Sequence, residues 1–122
     1  MDTNVIIDYT SNLIPGNGTD FVENIFNTAF NTSVVVKIEV LGYNEALAKI
    51  QLLEEFLASA TIFPLDAVVT QKTIELRRIK KMKLGDAIIA ATALVYGLVI
   101  VIRNTDDFNN IAGLTCINPH TL

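Results

Sequence analysis

LGDAIIAATALVYGLVIVIRNTDD, residues 84–107, is the stretch on which the fold turns. From Gly85 to Tyr96 it is apolar almost all round a helix, a pattern that only a buried helix sustains. Gly97 then ends the helix, and Val99 to Ile102 reads as a strand buried on both faces. The strand gives way at once to Arg103, Asn104, Asp106 and Asp107. A buried helix feeding a fully buried strand with a polar far end is the building block of a parallel sheet covered by helices on both sides. Leu84 to Ile102 is not expected to cross a membrane. It carries Asp86 and Thr92, breaks at Gly97, and barely reaches the roughly 20 residues a span requires.

Outward from this stretch, helix and strand keep alternating. Phe21, Val22, Ile25, Phe26, Ala29 and Phe30 recur at helical spacing behind Thr19 and Asp20, either of which can cap a first turn, so a helix is predicted over about 20–30. Pro15 to Gly18 reads as a surface loop before it. Val34 to Val36 is a β-branched run typical of a buried strand, which sets Glu39 just past a strand end. Leu47, Ile50, Leu53, Phe56 and Leu57 mark an amphipathic helix over 46–59, and Thr61 to Phe63 a strand closed by Pro64. Asp66 is the predicted cap of a helix reaching about Lys81; a helical turn over 105–111 and a strand over 115–118 complete the chain. No repeat, low-complexity tract or linker interrupts the 122 residues, of which 51% are hydrophobic. That suffices for one core, and a single domain over 1–122 is expected. The predicted architecture is a three-layer α/β/α sandwich around a central parallel sheet.

The net charge of −4 opposes coating of nucleic acid by charge alone. The distribution is uneven: Lys72, Arg77, Arg78, Lys80, Lys81 and Lys83 are six of the nine basic residues, whereas several acids stand singly in apolar segments. An acidic metal pocket beside a basic strip would look like this, although a solvated helix face is the simpler account of the basic cluster. Cys116 cannot form an internal disulfide, and no basic-then-apolar secretion signal opens the chain, so a cytoplasmic protein is expected. Cys116 is read as a core thiol and His120 as a surface residue. The sequence has no dinucleotide or P-loop glycine pattern, no nucleophile elbow and no zinc spacing.

In open parallel sheets the functional crevice lies beyond the carboxyl ends of the strands. Glu39 is predicted there, as are Asn104, Asp106 and Asp107. Asp2 opens the chain where a first central strand should end, and Asp86 begins the buried helix. Alone, each has an ordinary account as a terminal acid, a helix-start acid or a surface acid. Together on apolar scaffolding they are costly unless paired or bound to a cation, and neighbouring carboxylates raise one another's pKa. Such a cluster suits a divalent ion. Magnesium or manganese fits better than zinc, which recruits histidine and cysteine, present once each. A carboxylate-held ion can activate water for phosphodiester hydrolysis without a histidine base. Asp8, Asp20, Glu23, Glu54, Glu55 and Glu75 are expected to be solvated.

Four segments in order carry a family resemblance: Asp2-Thr3-Asn4-Val5-Ile6-Ile7-Asp8, Val35-Val36-Lys37-Ile38-Glu39-Val40-Leu41-Gly42, Leu84-Gly85-Asp86-Ala87-Ile88-Ile89-Ala90-Ala91-Thr92-Ala93 and Ile102-Arg103-Asn104-Thr105-Asp106-Asp107-Phe108. They resemble the motifs of PIN-domain toxins of the VapC type, and Ile111-Ala112-Gly113-Leu114 with Ile117-Asn118-Pro119 is similar to that family's last strand. The resemblance implies that Asp2, Glu39 and Asp86 bind metal, with Asn4 holding the Asp2 carboxylate by a hydrogen bond. Asn104 matches a position where many members have a fourth acid and others asparagine; Asp106 and Asp107 are near enough to supplement it. It further implies a magnesium- or manganese-dependent endoribonuclease acting on RNA, a homodimer, and inhibition by a cognate antitoxin with a basic or aromatic tail. Two departures stand out. Ile102 replaces a common threonine or serine, removing a hydroxyl from the site rim. Only Met1 precedes Asp2, so a curtailed first strand is expected, which implies either a misassigned or truncated start or a chain weakened in folding or metal binding. These departures favour the alternative of a catalytically silent PIN-like module binding RNA or protein; a DNA nuclease would share the chemistry.

Overall fold

In the computed structural model, which describes residues 1–42 and 44–122, the chain is extended for only two residues before its first helix. Asp2 has β-region backbone and its carboxylate accepts a hydrogen bond from Val5 N–H at 3.0 Å, so helix α1 (Thr3–Thr10) starts directly behind it. Strand β1 (Asn31–Ser33) pairs in parallel with β2 (Thr61–Phe63), and β3 (Ile100–Val101) with β4 (Cys116–Ile117). The predicted parallel sheet is therefore present as two halves, and what lies between them is the stub of a first strand. The Met1 ammonium donates to the Asn31 carbonyl at 3.3 Å, and Asp2 N–H to the Val101 carbonyl at 3.0 Å.

Alternation along β3 separates the layers. Ile100 and Ile102 enter a core with residues of α3 (Val34–Leu41), α4 (Leu47–Ala58), α5 (Ala67–Ile79) and α6 (Leu84–Tyr96), whereas Val101 joins Val5 of α1 and Val22 of α2 (Gly16–Thr28) in a second core. Helix α6 is buried from Ala87 to Ala93, as its composition requires, and its alanines let α5 pack closely against it. Gly97 ends α6 at φ +66°, a left-handed conformation that costs glycine little. Asp66 caps α5 through Val69 N–H at 2.8 Å. Two 3-10 turns, Thr105–Phe108 and Pro119–Thr121, complete the described elements. Among the described residues no helix is long and apolar enough to cross a membrane.

Two elements differ from expectation. Val34 to Val36 form the first turn of α3, and the strand precedes them as Asn31–Ser33. The Ser33 hydroxyl accepts from Val35 N–H at 3.2 Å, and Val36 and Val40, one helical turn apart, are both fully buried. A cap and a four-residue burial period outweigh β-branched propensity here. Glu39 consequently sits inside a helix, not beyond a strand. Helix α2 also begins earlier than predicted, absorbing Gly16 to Gly18; Thr19 Oγ1 bonds the Ile14 carbonyl at 2.9 Å instead of capping a later start.

Candidate functional site

Acidic side chains from α1, α3, α6 and the turn after β3 come close enough to feel one another's charge. Asp2, at the head of α1, is buried, and burial is the main reason its carboxyl is pushed up to about 6 from 3.8. Val5 N–H, the Met1 ammonium and Arg103 pull it down by less, and the charge of Asp86 pushes it further up. Asp86 lies in the first turn of α6, half-buried. Its pKa is also raised, first by burial and then by Asp107 and Glu39, with Lys83 offsetting part. Glu39 reaches back from α3: its Oε1 accepts from Thr3 Oγ1 at 2.9 Å, and its Oε2 lies 3.5 Å from the place a side chain on Gly85 would begin. The Glu39 carboxylate thus lies within van der Waals reach of the start of α6, one residue ahead of Asp86.

Asn104 and the turn after β3 close the crevice. Asn104 Nδ2 donates to Asp107 Oδ2 at 3.2 Å, whereas Asp106 Oδ1 accepts from Asn109 Nδ2 at 3.4 Å. Of the two candidates near Asn104, Asp107 is the one whose charge Asp86 feels. Asp106 remains on the crevice wall. The space, about 550 Å³, is lined by Asp86, Asn104, Asp106 and Asp107 on one side and by Lys80, Lys81, Met82 and Lys83 on the other. The basic cluster is thereby divided. Lys80, Lys81 and Lys83 form the rim, while Lys72 on α5 pairs with Glu75 at 3.7 Å as part of a solvated helix face.

Asn4 makes no hydrogen bond to Asp2 among the described residues; Val5 N–H holds that carboxylate. Ile102 is buried, its N–H donating to the Ile117 carbonyl at 2.9 Å, so its side chain belongs to the core. Asp8 is not solvated as expected: it is buried, paired with Arg103 at 3.2 Å and with His120 Nε2 at 3.0 Å. This fastens α1 to the chain after β3 and to the C-terminal turn. Thr3, Gly85 and Arg103 were not singled out as site residues, and neighbouring Asp2, Asp86 and Asn104 in sequence was the one signal that could have flagged them.

The oxygen-only donors Asp2, Glu39, Asp86, Asp107 and Asn104 suit a hard divalent cation. Among the described residues, no three acids converge tightly enough to hold one as their side chains stand. Glu39 is turned to Thr3 and Asp107 to Asn104, and both side chains are exposed.

Residues 1–114 match the family described as PIN domain. In structure the chain is similar to a toxin–antitoxin complex from Klebsiella pneumoniae, at 28% identity and a TM-score of 0.79 over 97% of this chain and 94% of that one. It is also similar to VapBC2 from Rickettsia felis bound to a DNA fragment from their promoter, at 20% identity and a TM-score of 0.79, covering 96% and 95% of the two chains. FitAcB from Neisseria gonorrhoeae follows at 23% identity and a TM-score of 0.77, covering 99% and 97%. At the last two identities the likeness is one of fold. No curated protein matches the chain in sequence.

Proposed function

Because the chain belongs to the PIN domain family, whose members are generally nucleases that use divalent metals, we propose that it is a metal-dependent endoribonuclease and the toxin of a toxin–antitoxin pair. The observation that carries this reading is a set of carboxyls coupled through Asp86: Asp86 raises the pKa of Asp2, and Asp107 and Glu39 raise that of Asp86, while Asp86 and Asp107 share a crevice with Lys80, Lys81 and Lys83. A magnesium or manganese ion bound there would polarise a phosphate oxygen and lower the pKa of water. Asp2, Glu39 and Asp86 would hold it. Asp2 Oδ1 accepts from Val5 N–H, which fixes that carboxylate at the head of α1. Asn104 steadies Asp107, and the rim lysines meet the flanking phosphates of a single strand.

An antitoxin partner is supported by the complex from Klebsiella pneumoniae. It is supported also by Ile38, Ile79 and Leu84, which are 65%, 80% and 55% exposed beside Glu39, Lys80 and Gly85. The resemblance to VapC-type toxins supports a homodimer as well. The test is cleavage of mixed RNA with magnesium or manganese, with and without chelator, by wild type and Asp86→Asn. Metal-dependent cleavage that falls at least ~100-fold in a folded Asp86→Asn protein is expected; equal cutting by the variant would refute the assignment. The absence of three converging acids among the described residues favours one other reading, a silent RNA- or protein-binding module. A wild type that binds RNA but cuts none under any divalent metal would establish it.

A further inference from the structure

Arg103 stands apart from the other basic residues. It is the only lysine or arginine after Lys83, and it directly precedes Asn104 of the crevice wall. Its side chain is 50% exposed, whereas that of Asp8, its partner, is 6% exposed. The pairing is one-sided. Both contacts, at 3.2 Å to Oδ2 and 3.5 Å to Oδ1, come from the same nitrogen, Nη1. A guanidinium that served only to neutralise a buried carboxylate would meet it with two nitrogens in parallel bonds. Here Nε and Nη2 have no hydrogen-bond partner among the described residues.

Planarity of the guanidinium decides what that leaves. Nη1 lies cis to Cδ, so Nε–H and one Nη2–H point together along the opposite edge, a fork spaced for two oxygens of a phosphate. Asp8 holds one edge and thereby fixes the direction of the other. His120 Nε2 lies 3.0 Å from the same Asp8 Oδ2, so the carboxylate has a second polar partner whatever the fork engages. The tether also removes in advance part of the rotamer freedom that a long surface side chain loses on binding. Burial raises the pKa of both Asp2 and Asp86; Arg103 is among the groups that offset the rise at Asp2, and Lys83 offsets it at Asp86. Each of these acids thus has its own cation, and Arg103 does not line the lysine-rimmed crevice.

We infer that the Nε–Nη2 edge of Arg103 is a second phosphate-binding position, taking a phosphodiester of a single strand on the Asp2 side of the acids while the lysine rim takes phosphates on the Asp86 side. The inference rests on the reading of the site as an RNA nuclease, which supplies a chain of phosphates as the ligand. A strand held at the lysines alone would pivot about the crevice. A second, tethered contact beyond Asp2 holds the intervening phosphate over the acids, where position counts for most of the rate. Asp8 acts here through Arg103, as the residue that positions the fork.

The test is the anisotropy of a labelled single-stranded RNA oligonucleotide, titrated in chelator over a range of salt so that binding is read without cleavage, with wild type, Arg103→Gln and Asp8→Asn, each well below its own Tm. Arg103→Gln should weaken binding roughly tenfold and lower the salt slope by about 0.7. Asp8→Asn weakens the same clamp on the C-terminal turn but leaves the guanidinium, so its slope should be no smaller than that of wild type. Wild-type affinity and slope in Arg103→Gln would overturn the site. So would an equal loss of slope in both variants, which would make Arg103 a clamp residue alone. Should Arg103→Gln not fold, Arg103→Lys takes its place, keeping the charge without the fork; binding as tight as that of wild type would then overturn the site. A wild type that binds no single-stranded RNA would sink the RNA reading itself, and this position with it.

Discussion

Replacing Asp2 with asparagine should make the metal-free protein more stable above pH 8, although Asp2 is a proposed metal holder. Asparagine keeps the oxygen that accepts from Val5 N–H and removes the charge. Burial pushes the Asp2 carboxyl from 3.8 up to about 6, and each tenfold change in proton affinity is about 1.4 kcal/mol. Keeping Asp2 ionised therefore costs the folded state about 3 kcal/mol. A raised carboxyl pKa means that below pH 3.8 both states hold the proton and the cost is absent. It grows as the unfolded chain ionises first, and is complete above pH 6. The Met1 ammonium, lowered by burial from 8.0 to about 6, contributes its own cost below pH 6 and none above pH 8, so alkaline measurement isolates Asp2. Urea unfolding of both proteins just above pH 8 in chelator should show the variant more stable by about 2–3 kcal/mol, a gain that disappears below pH 3.8. Added magnesium should recover the deficit in wild type alone. An equally stable or weaker variant above pH 8, or a gain that ignores pH, would refute the account of Asp2 as a buried charge whose burial outweighs its partners.

Asp8→Ala removes the partner of both Arg103 and His120 and should cost about 1–3 kcal/mol in denaturant unfolding; a change under about 0.5 kcal/mol would mean the clamp is incidental. Gly18→Ala would set a methyl 1.8 Å from the Pro119 carbonyl oxygen and 2.7 Å from Ile14 Cγ2. The C-terminal turn must move, lowering stability by about 1–3 kcal/mol, and wild-type Tm in this variant would contradict the close docking of α2 on that turn. Lys81→Ala should weaken RNA binding uniformly across sequences and reduce the salt slope by about 0.7; an unchanged slope would take Lys81 off the phosphate path.

The legibility of this chain depended on how local each cause was. The buried helix α6 and the Gly97 stop could be read directly, because an apolar surface all round a helix has one stable setting and the residue at φ +66° is a glycine. Asp66 was equally legible as a cap, its partner lying three residues away. Val34 to Val36 misled because β-branched propensity is weak beside the Ser33 cap and the burial of Val36 and Val40. Asp8 misled for a different reason: its partners lie 95 and 112 residues along the chain.

The sequence by itself determined the class of fold, through hydrophobic periodicity, and the chemical character of the site, through acids placed singly on apolar scaffolding. Tertiary structure alone decided which groups meet: Glu39 with Thr3 and Gly85, Asp107 in preference to Asp106, and three of six clustered basic residues on the rim. It alone showed that two residues bridge two half-sheets. Periodicity is written into neighbouring residues, whereas charge pairing, desolvation and strand order arise only when distant segments are brought within a few ångströms.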